Sequence, residues 1–501
     1  MEHEYTGYTP PTPPLPYPTD RREFRFAAAM AVCAFCLVNF IRGGGFNLGF
    51  ATAACLSIIL SAGYLAACGK KGSPYSRAVL ALCLIIAAGF GRSNDGYVGL
   101  VMLLFLLVGV NLGLCLTAGQ NRRDPGSALS LLDAGRSLFS MGFGKISPSL
   151  RGIEAYFRTG PMASRRAGAV LLGAVIAVPV LAVMIPLLIR ADAAFDGLIS
   201  LLPEINMAEL AATALWGSLL FPVLYSRGVA LNHHEGDDRV FLFGWQLHPL
   251  TVNTLLGAVC LVYVCYLASQ LAYFVGGFSG ILPEGYSPSE YARRGFFEMA
   301  WLCAINLGII AFAMGLLDKD SPTPLSTKLA CLFIGVVSLF FVASSVAKMA
   351  LYIGVYGLTR LRMLTMVIMV FFAVTVSLLC LWLFRPKLPY MKTVVLTGLI
   401  LGAFVFWLDV DTQVARYNVD AYLSGTLTTV DTRHLATLGD GAVPSIARLL
   451  DAEDPIVSEW ARTNLINRRS SRYTVDFRGW NQIHHSAQHF LQEWTPEPPQ
   501  S

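Results

Sequence analysis

Four side chains able to carry charge or hydrogen bonds recur every fourth position near the end of one apolar run: Lys348, Tyr352, Tyr356 and Arg360. The run begins at Leu329 and closes in "SSVAKMALYIGVYGLTRLR", Ser344 to Arg362. On an α-helix this spacing makes a single stripe, provided the helix continues through Gly354 and Gly357. A neighbouring apolar run carries Arg294 and Glu298 four apart, with Asn306 two turns deeper than Glu298. Crossing antiparallel, the two runs put Glu298 and Lys348 at similar depth with opposite sign. One chemistry is an ion pair lining a polar pocket, since ionisable groups in apolar spans face partners or water. The other is a lysine that snorkels, its stem in hydrocarbon and its ammonium in water. Both stay open.

Further charges gather at the same depth. Asp192 lies in "RADAAFDGL", Asp409 and Asp411 close the last apolar run, and Arg293, Arg294, Arg360 and Arg362 stand beside the two runs above. A guanidinium captures carboxylate or phosphate with two parallel hydrogen bonds. The plainer use of these arginines is to pair with the aspartates named. Histidines offer less: "NHHEGDD" (232–238) and the His485/His489 pair lack the completed spacing of a metal site, so they read as solvated. No phosphate-binding loop, H-E-x-x-H or G-x-S-x-G occurs, which disfavours motor domains and soluble-type hydrolases. No cofactor is implied. No basic patch with interleaved aromatics points to nucleic acid.

These residues must be positioned by membrane helices. The chain is 55% hydrophobic and only 14% charged, outside the range of soluble domains. Eleven stretches approach the roughly 20 residues that cross a bilayer core: 26–41, 46–68, 78–91, 97–119, 167–189, 208–226, 249–274, 295–317, 329–353, 363–384 and 393–409. The expected fold class is all-α, a polytopic transmembrane bundle with a small helical C-terminal domain. With the N-terminus in the cytoplasm, twenty-one Lys and Arg fall in inner connections and seven in outer ones. That bias follows the positive-inside rule and, with an odd span count, leaves the C-terminal tail outside. All 11 cysteines lie in apolar segments, so they read as small buried hydrophobes rather than disulfide partners.

Five regions follow. Residues 1–24 are a Pro-rich cytoplasmic tail read as disordered, and 25–119 hold four spans. Residues 120–166 mix Leu, Phe and Met with spaced basic residues, as amphipathic helices on the inner face do. Seven spans occupy 167–409. The tail, 410–501, alternates helical patterns with stop signals: "DTRHLATLG" ends in Gly439, Pro444 sits near a helix start, and Asp454-Pro455 reads as a cap and first-turn residue. Its short helix pairs are similar to a fragment of a helical-repeat solenoid.

"EYARRGFFEMAWLCAINL" (290–307), "SSVAKMALYIGVYGLTRLR" and "DVDTQVARYNVDAYLSG" (409–425), with the late "DFRGWN" (476–481), resemble a bacterial multi-pass family, the "domain of unknown function 4173" family and its 4153 relatives. The resemblance covers about the second half of the chain. Asp409-Val410-Asp411 stands where many relatives carry Asn-Pro-Asp, so a helix-ending proline is missing here. The resemblance implies a multi-pass protein of the bacterial inner membrane and brings no reaction with it.

Three functional readings remain. The chain is a non-enzymatic envelope scaffold or sensor that presents its external tail to a protein partner. Alternatively it is a secondary transporter or lipid-handling protein using the outer polar residues, although no inverted repeat stands out. A membrane enzyme on a lipid-linked substrate, with Glu298 or an outer aspartate as base, is the third. In every case the bilayer is one partner, and nothing in the sequence sets an oligomeric state.

Overall fold

A computed structural model describes residues 17, 19–93, 96–122, 125–126, 130–159, 166, 184, 207–233, 248–278, 296–317, 323–470 and 477–494. The span expected at 167–189, together with Asp192 and Arg294, lies outside the described residues apart from single positions. All regular structure among the described residues is helical. Eight helices there are long and apolar enough to cross a membrane, and two shorter apolar ones accompany them. The protein is an all-α polytopic helix bundle, and the chain divides into two compact units.

Unit 1 comprises residues up to Ala88, then Leu107–Arg122 and Leu131–Gly236. It holds α1 (Arg21–Gly44), α2 (Leu48–Ala67), α3 (Pro74–Gly89) and the second half of α4 (Gly96–Ala118). Helix α1 starts ahead of the apolar run because Asp20 and Glu23 form a capping box, each side chain satisfying the other's backbone N–H. The connection that composition marked as amphipathic contains α5 (Leu131–Arg136), a π-helical turn (Ser137–Phe143) and α6 (Ile146–Thr159). Leu132, Phe139 and Phe143 are exposed there. Helix α7 (Met207–His233) packs on α1, where Gly217 and Gly228 admit the Phe35 backbone and the Phe26 ring.

Unit 2 takes Gly89–Leu106, Arg123–Ser130 and everything from Asp237. Its membrane helices are α8 (Pro249–Phe278), α9 (Phe296–Leu316), α10 (Leu325–Tyr356), α11 (Arg360–Phe384) and α12 (Tyr390–Leu408). Leu256, Cys303, Ile334, Phe341 and Met369 are buried at the heart of their shared core. All eleven cysteines are free thiols, as their apolar settings imply.

A C-terminal module follows: α13 (Val410–Leu423), α14 (Thr432–Ala436), α15 (Val443–Ala447), α16 (Pro455–Ser470) and α17 (Gln482–Glu493). The stop signals act as read: Asp454 accepts from the Ile456 N–H at 2.9 Å ahead of α16, and Pro444 sits in the first turn of α15. Leu435, Ile446, Leu449, Ala461 and Leu465 are completely buried. Trp460, Phe490 and Trp494 are only partly covered.

Candidate functional site

Helix α10 stops at Tyr356, so the stripe of four does not stay on one helix. Gly357 takes φ +74°, a left-handed cap that L side chains rarely adopt, and returns its N–H to Ile353 O at 2.8 Å. An added Cβ there would overlap the Asn418 amide. Lys348, Tyr352 and Tyr356 remain on α10, and Arg360 becomes the first residue of α11. Thr359 caps α11 by accepting from the Arg362 N–H. Arg362 folds back over the end of α10. Its guanidinium lies 4.2 Å from the Tyr352 ring centre and donates to Tyr356 O at 3.0 Å and to Gly357 O. It thereby satisfies carbonyls that a helix C-terminus leaves unpaired. The Tyr352 and Tyr356 rings are 5.0 Å apart.

Helix α13 presents Asp411, Val414 and Asn418 on one face, at i, i+3 and i+7. Asn418 clasps the turn, accepting from Leu358 N at 2.7 Å and donating to Leu358 O at 2.8 Å. Asp411 takes the Arg360 guanidinium in two bonds, from Nε and from Nη2, the latter at 2.5 Å. It also accepts from the Gly439 N–H at 2.5 Å. Only 3% of Asp411 is exposed, so this pair works at low dielectric, where a bidentate geometry is needed to offset desolvation. Asp409 has φ 57°, the left-handed conformation that aspartate tolerates better than most residues, and its side chain accepts from Thr412 N at 3.1 Å. The break between α12 and α13 is made by Asp409 itself.

A second polar layer holds the module together. Asp440 accepts from His484 Nδ1 at 2.6 Å and lies 3.8 Å from the Arg468 guanidinium. Arg468 also donates to Leu438 O at 2.8 Å. The bond to Asp440 raises the pKa of His484 above the usual histidine value. His434 is pushed the other way, mainly by burial, with Arg360 and Arg362 adding repulsion. At the far end, Gln482 N and Ile483 N donate to Gly91 O and Arg92 O at 3.1 and 3.0 Å.

The remaining sequence candidates divide. Glu298 is exposed in the first turn of α9 and acts electrostatically on half-buried Lys348. Asn306 serves the core: its Oδ1 accepts from Tyr263 at 2.5 Å and its Nδ2 donates to Ser338 at 2.9 Å. Asn418, Asp440 and Arg468 were not singled out in the sequence; Gly357 and Gly439 were, but only as a point where the stripe could break and as a helix stop. The 232–238 stretch, read as a solvated loop, begins inside α7. His233 Nε2 meets the buried Glu23 carboxylate at 3.1 Å, and Tyr64 donates to the same oxygen at 3.2 Å. Among the described residues no group of three His, Cys, Asp or Glu is arranged to hold a metal.

A family model described as "Domain of unknown function (DUF4153)" matches residues 27–449, from the first membrane helix into the C-terminal module. No curated protein and no solved structure matches the chain.

Proposed function

We propose, for a chain that belongs to the DUF4153 family, a non-enzymatic role as a membrane scaffold or sensor that holds its C-terminal helical module outside the cell membrane for a protein partner. One observation carries this reading: the module is tied to the α10–α11 turn by the buried Arg360–Asp411 pair and the Asn418 clasp. A module fixed in this way moves with the membrane helices, as a device coupling an external partner to the bundle requires. The polar side chains gathered at the turn are engaged with one another rather than aimed at a reacting atom.

Topology supports an external module. In an eleven-span chain, alternation puts the α3–α4 connection, the α10–α11 turn and everything after Leu408 on one face. The module bonds to both of those places, at Gly91 and Arg92 and at Leu358 and Arg360. One span more or fewer between them would set them on opposite faces. Combined with the positive-inside bias, that face is extracytoplasmic.

Alkaline phosphatase and fluorescent-protein fusions at Ser501 test the side, and a photoreactive residue at Ile456, 80% exposed on α16, tests the role. Phosphatase activity and a discrete protein adduct at Ile456 are expected. A fluorescent, phosphatase-silent fusion contradicts the reading. So does an Ile456 residue that labels only lipid and water.

A further inference from the structure

The α10–α11 turn uses only part of one guanidinium. Arg362 Nη1 donates to Tyr356 O at 3.0 Å and to Gly357 O. Its Nε and Nη2 make no hydrogen bond and no ion pair among the described residues, and neither is a buried atom. The group is held in place all the same. It lies 4.2 Å from the Tyr352 ring centre, where the ring face attracts a cation. The Tyr356 ring, 5.0 Å from Tyr352, extends the same surface. Lys348 stands one turn deeper than Tyr352 on the same stripe of α10, with Glu298 bearing on it.

Beside this polar stripe runs an apolar one that nothing in the chain covers. Leu351 is 69% and Val355 64% exposed, each one position before a tyrosine of the stripe, and Leu361 is exposed next to Arg362. Both α10 and α11 are long and apolar enough to cross a membrane, so such exposure is contact with lipid tails. Tyrosine, lysine and arginine at the end of a span lie at the height of the headgroups. The arrangement therefore offers cations and hydroxyls at headgroup level, directly above a surface for acyl chains. A small soluble anion would meet the charge and leave the apolar flank unused; an anionic lipid uses both.

We propose that Arg362 and Tyr356 bind the phosphodiester headgroup of an anionic phospholipid whose acyl chains lie along Leu351 and Val355. Nε and Nη2 of Arg362 form the two-pronged edge that suits a phosphate. The Tyr356 hydroxyl adds a donor, and Lys348 adds positive charge from one turn deeper, tempered by Glu298. The lipid joins the end of α10 to the start of α11. The site is the same whichever side of the membrane the turn faces, so it stands independently of the role assigned to the C-terminal module.

Thermal unfolding of the delipidated full chain in detergent, titrated with phosphatidylglycerol, phosphatidylcholine or glycerol 3-phosphate, tests it. Phosphatidylglycerol should stabilise wild type at lower concentration than phosphatidylcholine, and glycerol 3-phosphate should not stabilise it. Arg362→Gln should weaken the apparent affinity for phosphatidylglycerol about tenfold by losing charged hydrogen bonds. Arg362→Lys, which keeps the charge and loses the fork, should fall between Arg362→Gln and wild type. Arg362 also caps α10, so the readout is the gain on adding lipid rather than the lipid-free melting temperature. If Arg362→Gln fails to fold, Tyr356→Phe decides, since it keeps the exposed ring and removes only the hydroxyl; it should weaken the affinity about threefold. The proposal is overturned if phosphatidylcholine matches phosphatidylglycerol, if glycerol 3-phosphate alone gives the same gain, or if the deciding variant responds as wild type does.

Discussion

Arg360 and Arg227 are the same side chain set in two polar centres of opposite character. Arg360 meets a carboxylate held on a rigid helix face, and its Nη2 also donates to Thr437 O at 3.1 Å. Arg227 is more deeply buried, and its Nε has no acceptor among the described residues. In the first case the backbone delivers the counter-charge, so the arginine is an element of architecture. In the second no described residue accepts from the guanidinium Nε. Burial alone does not separate a structural charge from a functional one; the state of the partner does.

The most disruptive way to erase that difference is Asp411→Asn, which leaves Arg360 a neutral partner in place of a carboxylate. Breaking one side of a buried pair costs about 3–5 kcal/mol, and the lower end applies because the Arg360 side chain keeps 31% exposure. Limited proteolysis should then release fragments from beyond Leu423 that wild type protects.

Lys348 asks on which side of the comparison it falls. If Glu298 is its partner, Lys348→Met and Glu298→Gln each lower the melting temperature, and the double variant recovers much of the loss, a coupling of about 0.5–3 kcal/mol. A snorkelling Lys348 gives effects that add within about 0.5 kcal/mol.

Gly357→Ala leaves both members of the Arg360–Asp411 pair in place and strains only the turn that aims them. A left-handed residue with a Cβ costs about 1–2 kcal/mol, and the overlap with Asn418 adds to it. Asn418→Gly should relieve the overlap, so the substitution should cost less in that background than in wild type.

The smallest effect is a pH dependence. His484 has a pKa raised by its bond to Asp440. Its contribution is complete below the unfolded value of about 6.5 and is lost as pH rises through the folded value. His434, its pKa lowered chiefly by burial, contributes above about 6.5 and loses that contribution as pH falls through its folded value. His484→Gln should therefore destabilise the module more at pH 5.5 than at pH 8, seen in melting curves of the full chain. Equal loss at both pH values would show that the bond to Asp440 involves a neutral histidine.

The membrane helices were legible because apolar length is a local property: ten of the eleven expected spans coincide with described helices. Caps were legible for the same reason, as at Asp454-Pro455. The Arg360–Asp411 pair was visible only as two sets of opposite charges, because its members are 51 residues apart and no spacing rule reaches so far. The stripe from Lys348 to Arg360 misled at its last step. Gly357 breaks the helix under the demand of Asn418, a residue 60 positions away from the Leu358 backbone it clasps. Arg227 lay just past the expected span 208–226 and counted as an inner-connection cation, whereas α7 extends past it to His233 and packing buries it.

Hydrogen exchange of the full chain, comparing wild type with Arg360→Gln, tests most directly whether the charged pair fixes the module to the bundle. Amides of α13 through α16 should exchange faster in the variant, Gly439 foremost because its N–H bonds to Asp411, while the α8–α10 core keeps its protection. Unchanged protection across α13–α16 would contradict a module held by Arg360.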